Sequence, residues 1–208
     1  MSLKENEAYF SRARVLPVLT PESVASAVAV SRVLFNAGLR MQEITLRTDC
    51  GLETLAALTR ELPGLIVGAG SVITPGLGRA AIQSGASFLV SPGTNDALLQ
   101  FAADCRVPFL PGVSTVSEAM NVLALGCTAA KLFPADSLGG LAFLRSVAGP
   151  LPAMKFCPSG GIDAQAAPGY LRLGNVLSVG GSWMAPAELV RQNRFDDIRR
   201  LAEEAASL

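Results

Sequence analysis

Short strand-like runs return along this chain at a nearly fixed interval, and that interval constrains the fold more than any other feature. The runs are residues 15–19, 42–46, 66–69, 88–91, 109–111, 129–133, 155–158 and 176–179, eight in all, with starts roughly 20 to 27 residues apart. This spacing leaves room for one helix and two turns between successive strands. Leu98, Phe101, Ala102 and Cys105 fall at i, i+3, i+4 and i+7, the apolar stripe of a helix lying on a sheet. Thr115-Val116-Ser117-Glu118 has the form of a capping box, and Gly38, Gly85, Gly126, Gly149 and Gly174 stand where helices should end. The runs are too short and apolar for an antiparallel sandwich, and no Pro-, Ser- or charge-rich linker divides the chain. The pattern predicts a single-domain (β/α)8 barrel over residues 1–208, with a doubly wound open sheet as the alternative. Residues 1–14 are expected to form an extra helix across the barrel floor, and 187–206 the last helical region.

Composition narrows the partners. Half of the 208 residues are hydrophobic, enough for a substantial core, and 17 basic residues balance 17 acidic ones. A net charge of zero gives no pull toward nucleic acid or an anionic membrane. No stretch approaches the ~18 uninterrupted apolar residues of a membrane span. Cys50, Cys105, Cys127 and Cys157 form no C-x-x-C pair and follow no signal peptide, so reduced thiols in a cytoplasmic protein are expected. There is no histidine. Proton transfer then falls to carboxylates, amines, hydroxyls or water, which excludes Ser-His-Asp chemistry and histidine-ligated metal. No metal site and no cofactor are expected.

In a barrel the chemistry belongs at the carboxyl ends of the strands. Lys131 lies in the apolar run Cys127-Thr128-Ala129-Ala130-Lys131-Leu132-Phe133-Pro134, in a chain whose other lysines are Lys4 and Lys155. A buried amine disfavours its charged form, and a neutral amine attacks a ketone to give a Schiff base. Glu43, Thr45 and Arg47 alternate with Ile44 and Leu46, so a carboxylate, a hydroxyl and a guanidinium share the inward face. A structural ion pair is the plain alternative for that trio. Gly68-Ala69-Gly70-Ser71 ends the third run with close-approach glycines and a hydroxyl. Pro158-Ser159-Gly160-Gly161 and Gly180-Gly181-Ser182 follow the last two runs, where barrels commonly bind phosphate through backbone N–H groups. Sharp strand-to-helix turns are the alternative there.

These motifs carry a resemblance. Glu43-Ile44-Thr45-Leu46-Arg47-Thr48, Gly68-Ala69-Gly70-Ser71, Ser91-Pro92-Gly93, Pro111-Gly112-Val113-Ser114-Thr115, Lys131-Leu132-Phe133-Pro134, Phe156 through Ile162 and Gly180-Gly181-Ser182-Trp183 occur in order through nearly the whole chain. Together they resemble the 2-keto-3-deoxy-6-phosphogluconate (KDPG) / 4-hydroxy-2-oxoglutarate (KHG) aldolase family. The resemblance implies a class I aldolase, metal-free and assembled as a homotrimer, that cleaves KDPG to pyruvate and glyceraldehyde 3-phosphate, with KHG as a second substrate. It implies Lys131 as the Schiff-base lysine, Glu43 as general acid/base and Arg47 as binder of the pyruvate carboxylate. It assigns Ser71, Pro92 and Phe133 to the pyruvate side, and Ser159, Gly160, Gly161, Gly181 and Ser182 to the distal phosphate.

Physical logic agrees with these roles. Carbon–carbon cleavage leaves a carbanion that an iminium delocalises, and an arginine clamps a carboxylate through two parallel bonds. Burial and the Arg47 cation are the expected aids to a free amine on Lys131. Phe133, two residues on, faces inward with it. Lys155 is the competing nucleophile, placed near the start of its strand. The chain departs from the family pattern at Ser71 and Ser159, each in place of threonine, and at Leu19-Thr20-Pro21, where some relatives carry a basic residue near the phosphate. Rival readings are a KDPG epimer from the galactonate series as substrate, a sugar-phosphate isomerase or epimerase, and a non-catalytic sugar-phosphate-binding barrel.

Overall fold

The computed structural model describes residues 6–105 and 107–208. Helix α1 (Asn6–Phe10) precedes β1 (Val15–Leu19), and then α2 (Val24–Asn36), β2 (Met41–Thr45), α3 (Gly51–Glu61), β3 (Ile66–Gly70), α4 (Pro75–Gln83) and β4 (Leu89–Val90) alternate. Helix α5 (Asp96–Cys105) leads to the short strands β5 (Phe109–Leu110) and β6 (Gly112–Val113). The order continues with α6 (Val116–Ala124), β7 (Ala129–Leu132), α7 (Gly140–Ala148), β8 (Lys155–Pro158), α8 (Ala167–Leu171), β9 (Val179–Gly181), α9 (Ala187–Arg191) and α10 (Phe195–Ala206).

Every strand pairing is parallel, in the orders β5-β4-β3-β2-β1-β9 and β6-β7-β8. β5 and β6 are one barrel strand divided at Pro111, which has no N–H to give the ladder. The proline carbonyl still accepts from the Lys131 N–H at 2.8 Å. Bridges Phe156↔Val176 and Ser159↔Gly180 join β8 to the chain entering β9. The sheet therefore closes as a (β/α)8 barrel rather than lying open.

Three boundaries differ from the sequence pattern. The eighth strand is Val179–Gly181 rather than 176–179, because Val15, Leu16 and Pro17 pair with Val179, Gly180 and Gly181. Gly180 and Gly181, which read as a turn, instead leave room there for the side chains of Ser159 and Trp183. The last helical region is broken after Arg191, where Asn193 adopts φ 53°, a left-handed conformation that asparagine tolerates. Helix α1 spans only Asn6–Phe10 of the 1–14 predicted, and residues 1–5 lie outside the described residues. Arg14 is already out of it, its Nε donating to the Leu208 carbonyl at 2.9 Å.

Helix starts follow local chemistry. The Ser23 and Thr74 hydroxyls accept from the N–H groups of Ser26 and Leu77, and Thr115 with Glu118 forms the reciprocal capping box the sequence predicts. Gly38, Gly85 and Gly126 take the positive φ that ends a helix, whereas Gly149 stays right-handed at φ −72°. Outward-facing strand residues such as Ile44 and Val67 pack under Leu34, Leu55 and Leu58 of the helices. Each such side chain contributes about 1.5 to 3 kcal/mol relative to exposure.

A separate cluster of Phe10, Leu16, Met41, Phe88, Val90 and Leu110 fills the barrel floor. Phe10 meets Phe88 edge-on at 5.6 Å, and the Asn6 side chain donates to the Phe109 carbonyl at 2.6 Å while accepting from its N–H at 3.4 Å. Among the described residues, no helix is long and apolar enough to cross a membrane.

Candidate active site

At the other end of the barrel the strands surround a cavity of about 190 Å³. Lys131, Glu43, Arg47, Ser71, Pro92, Phe133, Ser159, Gly160, Gly161, Gly181 and Ser182 all line it, brought together from the ends of β2, β3, β4, β7, β8 and β9. Val18, Thr45 and Ile162 complete the wall. The alternation of Thr45 with Glu43 and Arg47 was the available signal for Thr45. Val18 and Ile162 carry no polar group that would have marked them.

The centre of the cavity is an ion pair. Lys131 Nζ donates to Glu43 Oε1 at 3.2 Å and to Oε2 at 3.4 Å, with the two side chains only 8% and 2% exposed. Desolvating both charges is expensive, and apolar packing of similar volume would stabilise the fold as well or better. Its retention points to chemistry. Glu43 fits because Gly70 on the adjacent strand has no side chain, and a Cβ there would overlap the carboxylate. The Phe133 ring lies 5.4 Å from Nζ and walls off one side.

The charged group in direct contact with Lys131 is the Glu43 carboxylate, while Arg47, expected from the sequence as a neighbouring cation, lines the same cavity. Opposite charges meet where the barrel buries them, and Arg47 instead donates from Nη2 to Thr20 Oγ1 at 2.7 Å. Lys155 takes no part. It does not line the cavity, and its ammonium donates to the Gly174 carbonyl at 2.8 Å.

Gly160 and Gly161 adopt φ 98° and 81°, which an L side chain rarely tolerates. The carbonyls of Ser159 and Gly160 accept from the N–H groups of Ala135 at 2.9 Å and Asp136 at 3.0 Å. In a trans peptide the N–H points opposite its carbonyl, so the Gly160 and Gly161 N–H groups face away from that loop. Among the described residues neither meets a backbone acceptor. Two adjacent N–H groups so presented, with Ser159 and Ser182 on the same cavity wall, are donors of the kind an anion requires. Ser71 has φ 60°, a strained conformation for a residue with a side chain, found here on the cavity wall.

Cys157 neighbours Lys131 across the β7–β8 ladder. Burial pushes its thiol up to about 11, and a hydrogen bond from Ser178 at 3.1 Å offsets only part of that rise. It is a protonated packing residue rather than a nucleophile. Among the described residues no group of three His, Cys, Asp or Glu is placed to hold a metal ion. A second cavity of about 200 Å³, with no counterpart in the sequence reading, shares Val18, Arg47 and Ser182 with the first and runs toward Thr20 and Val30.

The sequence model of the KDPG and KHG aldolase family matches residues 7–201. The 2-dehydro-3-deoxy-phosphogluconate aldolase of Pseudomonas aeruginosa is 44% identical over 193 residues, 93% of this chain and 88% of that protein. The KHG/KDPG aldolase of Escherichia coli K12 is 39% identical over 199 residues, 96% of this chain and 93% of that one. Among solved structures, the KDPG aldolase from Legionella pneumophila, with pyruvate captured at low pH as a covalent carbinolamine intermediate, has a TM-score of 0.94. It is 36% identical, covering 97% of this chain and 98% of that one. Barrel and relatives together define a class I aldolase, a carbon–carbon lyase. The chain belongs to the KDPG and KHG aldolase family.

Proposed function

We propose that this enzyme cleaves KDPG to pyruvate and glyceraldehyde 3-phosphate through a Schiff base on Lys131, and cleaves KHG to pyruvate and glyoxylate at the same site. The observation that carries this reading is a lysine ammonium held 3.2 Å from a buried carboxylate inside a small cavity at the strand ends. Glu43 receives the proton that Nζ must lose before it attacks the C2 carbonyl. Glu43 returns that proton to the carbinolamine hydroxyl, water leaves, and an iminium and a free Glu43 carboxylate result. Glu43 takes the C4 hydroxyl proton, the C3–C4 bond breaks, its electron pair moves into the iminium, and an enamine remains as the aldehyde leaves. Protonation at C3 and hydrolysis of the imine release pyruvate and restore the lysine.

Arg47 holds the substrate carboxylate, and Ser71, Pro92 and Phe133 shape the pyruvate pocket and limit water near the imine. Ser159, Gly160, Gly161, Gly181 and Ser182 take the phosphate through N–H and O–H donors. All of 1–208 serves this site as one domain, without metal or cofactor. The protein acts in the cytoplasm, where its four free cysteines stay reduced. It assembles as a homotrimer. Val116 and Met120, one turn apart on α6 and 40% and 55% exposed, are apolar surface suited to a subunit contact.

Coupling pyruvate release to NADH oxidation by lactate dehydrogenase tests the reading. Turnover of KDPG with stoichiometric pyruvate and glyceraldehyde 3-phosphate is expected. Binding without pyruvate would favour a sugar-phosphate-binding barrel, isomerised product without pyruvate would favour an isomerase, and a preference for the galactonate-series epimer would reassign the substrate.

A further inference from the structure

Thr20 follows β1 directly, and the register Leu19↔Ile44 places it opposite Thr45 at the end of β2. Its Oγ1 accepts two hydrogen bonds, from Thr45 Oγ1 at 3.1 Å and from Arg47 Nη2 at 2.7 Å. Thr45 is 1% exposed and lies on the cavity wall, so this short chain of hydroxyls runs from the buried barrel interior to an arginine at the surface. Arg47 stands two residues beyond the last residue of β2 and makes no ion pair among the described residues. Among the described residues no other hydrogen bond holds its guanidinium.

We propose that Thr20 is a positioning residue: its hydroxyl, anchored by Thr45, holds the Arg47 guanidinium at the boundary between the two cavities, pre-set to receive the carboxylate of a 2-keto acid. The inference rests on the reading of Arg47 as the carboxylate binder. A long cationic side chain loses rotamer freedom when it clamps a ligand, and a side chain already fixed loses less on binding. Thr20 occupies one of the five guanidinium N–H donors and leaves the others for the substrate. Arg47 also forms a wall of the second cavity, so releasing it would open the catalytic pocket toward Thr20, Ser26 and Val30.

The test compares Thr20→Val and Thr20→Ala, which remove the hydroxyl, with Thr20→Ser, which keeps it. KM and kcat are measured by coupled assay on KDPG and on its unphosphorylated counterpart, 2-keto-3-deoxygluconate. Both hydroxyl-deleted variants should raise KM about fivefold, roughly 1 kcal/mol, on both substrates, with kcat within about twofold and Thr20→Ser close to the parent. Position 20 is exposed, so these variants should fold. In an Arg47→Ala background, Thr20→Val should add nothing. An unchanged KM in Thr20→Val and Thr20→Ala while Arg47→Ala raises it would overturn the role of Thr20. So would a penalty confined to the phosphorylated substrate, which would make Thr20 a direct phosphate contact. If Arg47→Ala itself left KM unchanged, the fault would lie in the reading of Arg47.

Discussion

At the floor of the barrel Phe10, Met41, Phe88 and Leu110 fill the interior with carbon, whereas at the mouth the same set of strands ends in Glu43, Ser71, Lys131 and Ser159 around an open cavity. β2 makes the contrast within five residues, since Met41, Glu43 and Thr45 share its inward face. The floor is held by apolar burial and aromatic edges. The mouth holds a desolvated ion pair and a serine with φ 60°, both of which cost stability. A barrel can carry such a mouth because its rigidity comes from the opposite end and from the helix layer. Changes at the mouth should therefore act first on catalysis, and changes at the floor on stability.

The largest expected effect lies at the mouth. Lys131→Ala should lower kcat/KM at least about ten-thousandfold, while Lys155→Ala, bonded to the Gly174 carbonyl outside the cavity, should stay within about twofold. Comparable losses for both lysines would erase the distinction. Next, Glu43→Gln should lower kcat by about a hundredfold to ten-thousandfold. Gly70→Ala should approach that loss, because its new Cβ displaces the Glu43 carboxylate. A fully active Gly70→Ala would mean that the carboxylate has room to work elsewhere.

At the floor, Phe10→Ala should destabilise by about 3 to 5 kcal/mol in urea titration, leaving kcat/KM of the folded fraction nearly unchanged. A large fall in kcat there would couple the two ends and break the comparison. The smallest effect sits between them. Burial raises the Cys157 thiol from its ordinary 9.0 to about 11, so the folded state keeps a proton that the unfolded chain loses as pH climbs. The associated stability is fully present below about pH 9 and is lost as pH rises toward about 11, a change of about 2 to 3 kcal/mol. Urea midpoints near pH 8 and near pH 10.5 should fall further apart in the parent than in Cys157→Ala; equal gaps would contradict the assignment.

Local patterns carried much of this into the sequence. The short apolar strand runs, the Thr115 capping box and the alternation of Glu43, Thr45 and Arg47 each depend on residues a few positions apart, and apart from the eighth strand the structure reproduces them. Long-range geometry was less legible. Lys131 and Glu43 are 88 residues apart, and which charge touches the amine is set by how strands meet across a closed ring rather than by any local period. That is why neither the Lys131–Glu43 contact nor the Arg47–Thr20 hydrogen bond was legible in the local pattern. The displaced eighth strand and the break at Asn193 arose where glycine and asparagine serve both turns and extended or left-handed backbone, so their identity alone did not choose.

The proposed catalysis requires one buried amine to condense with the keto acid. Incubating the enzyme with pyruvate, reducing with borohydride and mapping peptides by mass spectrometry tests it directly. A single reduced adduct on Lys131 that disappears in Lys131→Ala is expected. An adduct on Lys155, or labelling that persists in Lys131→Ala, would contradict it.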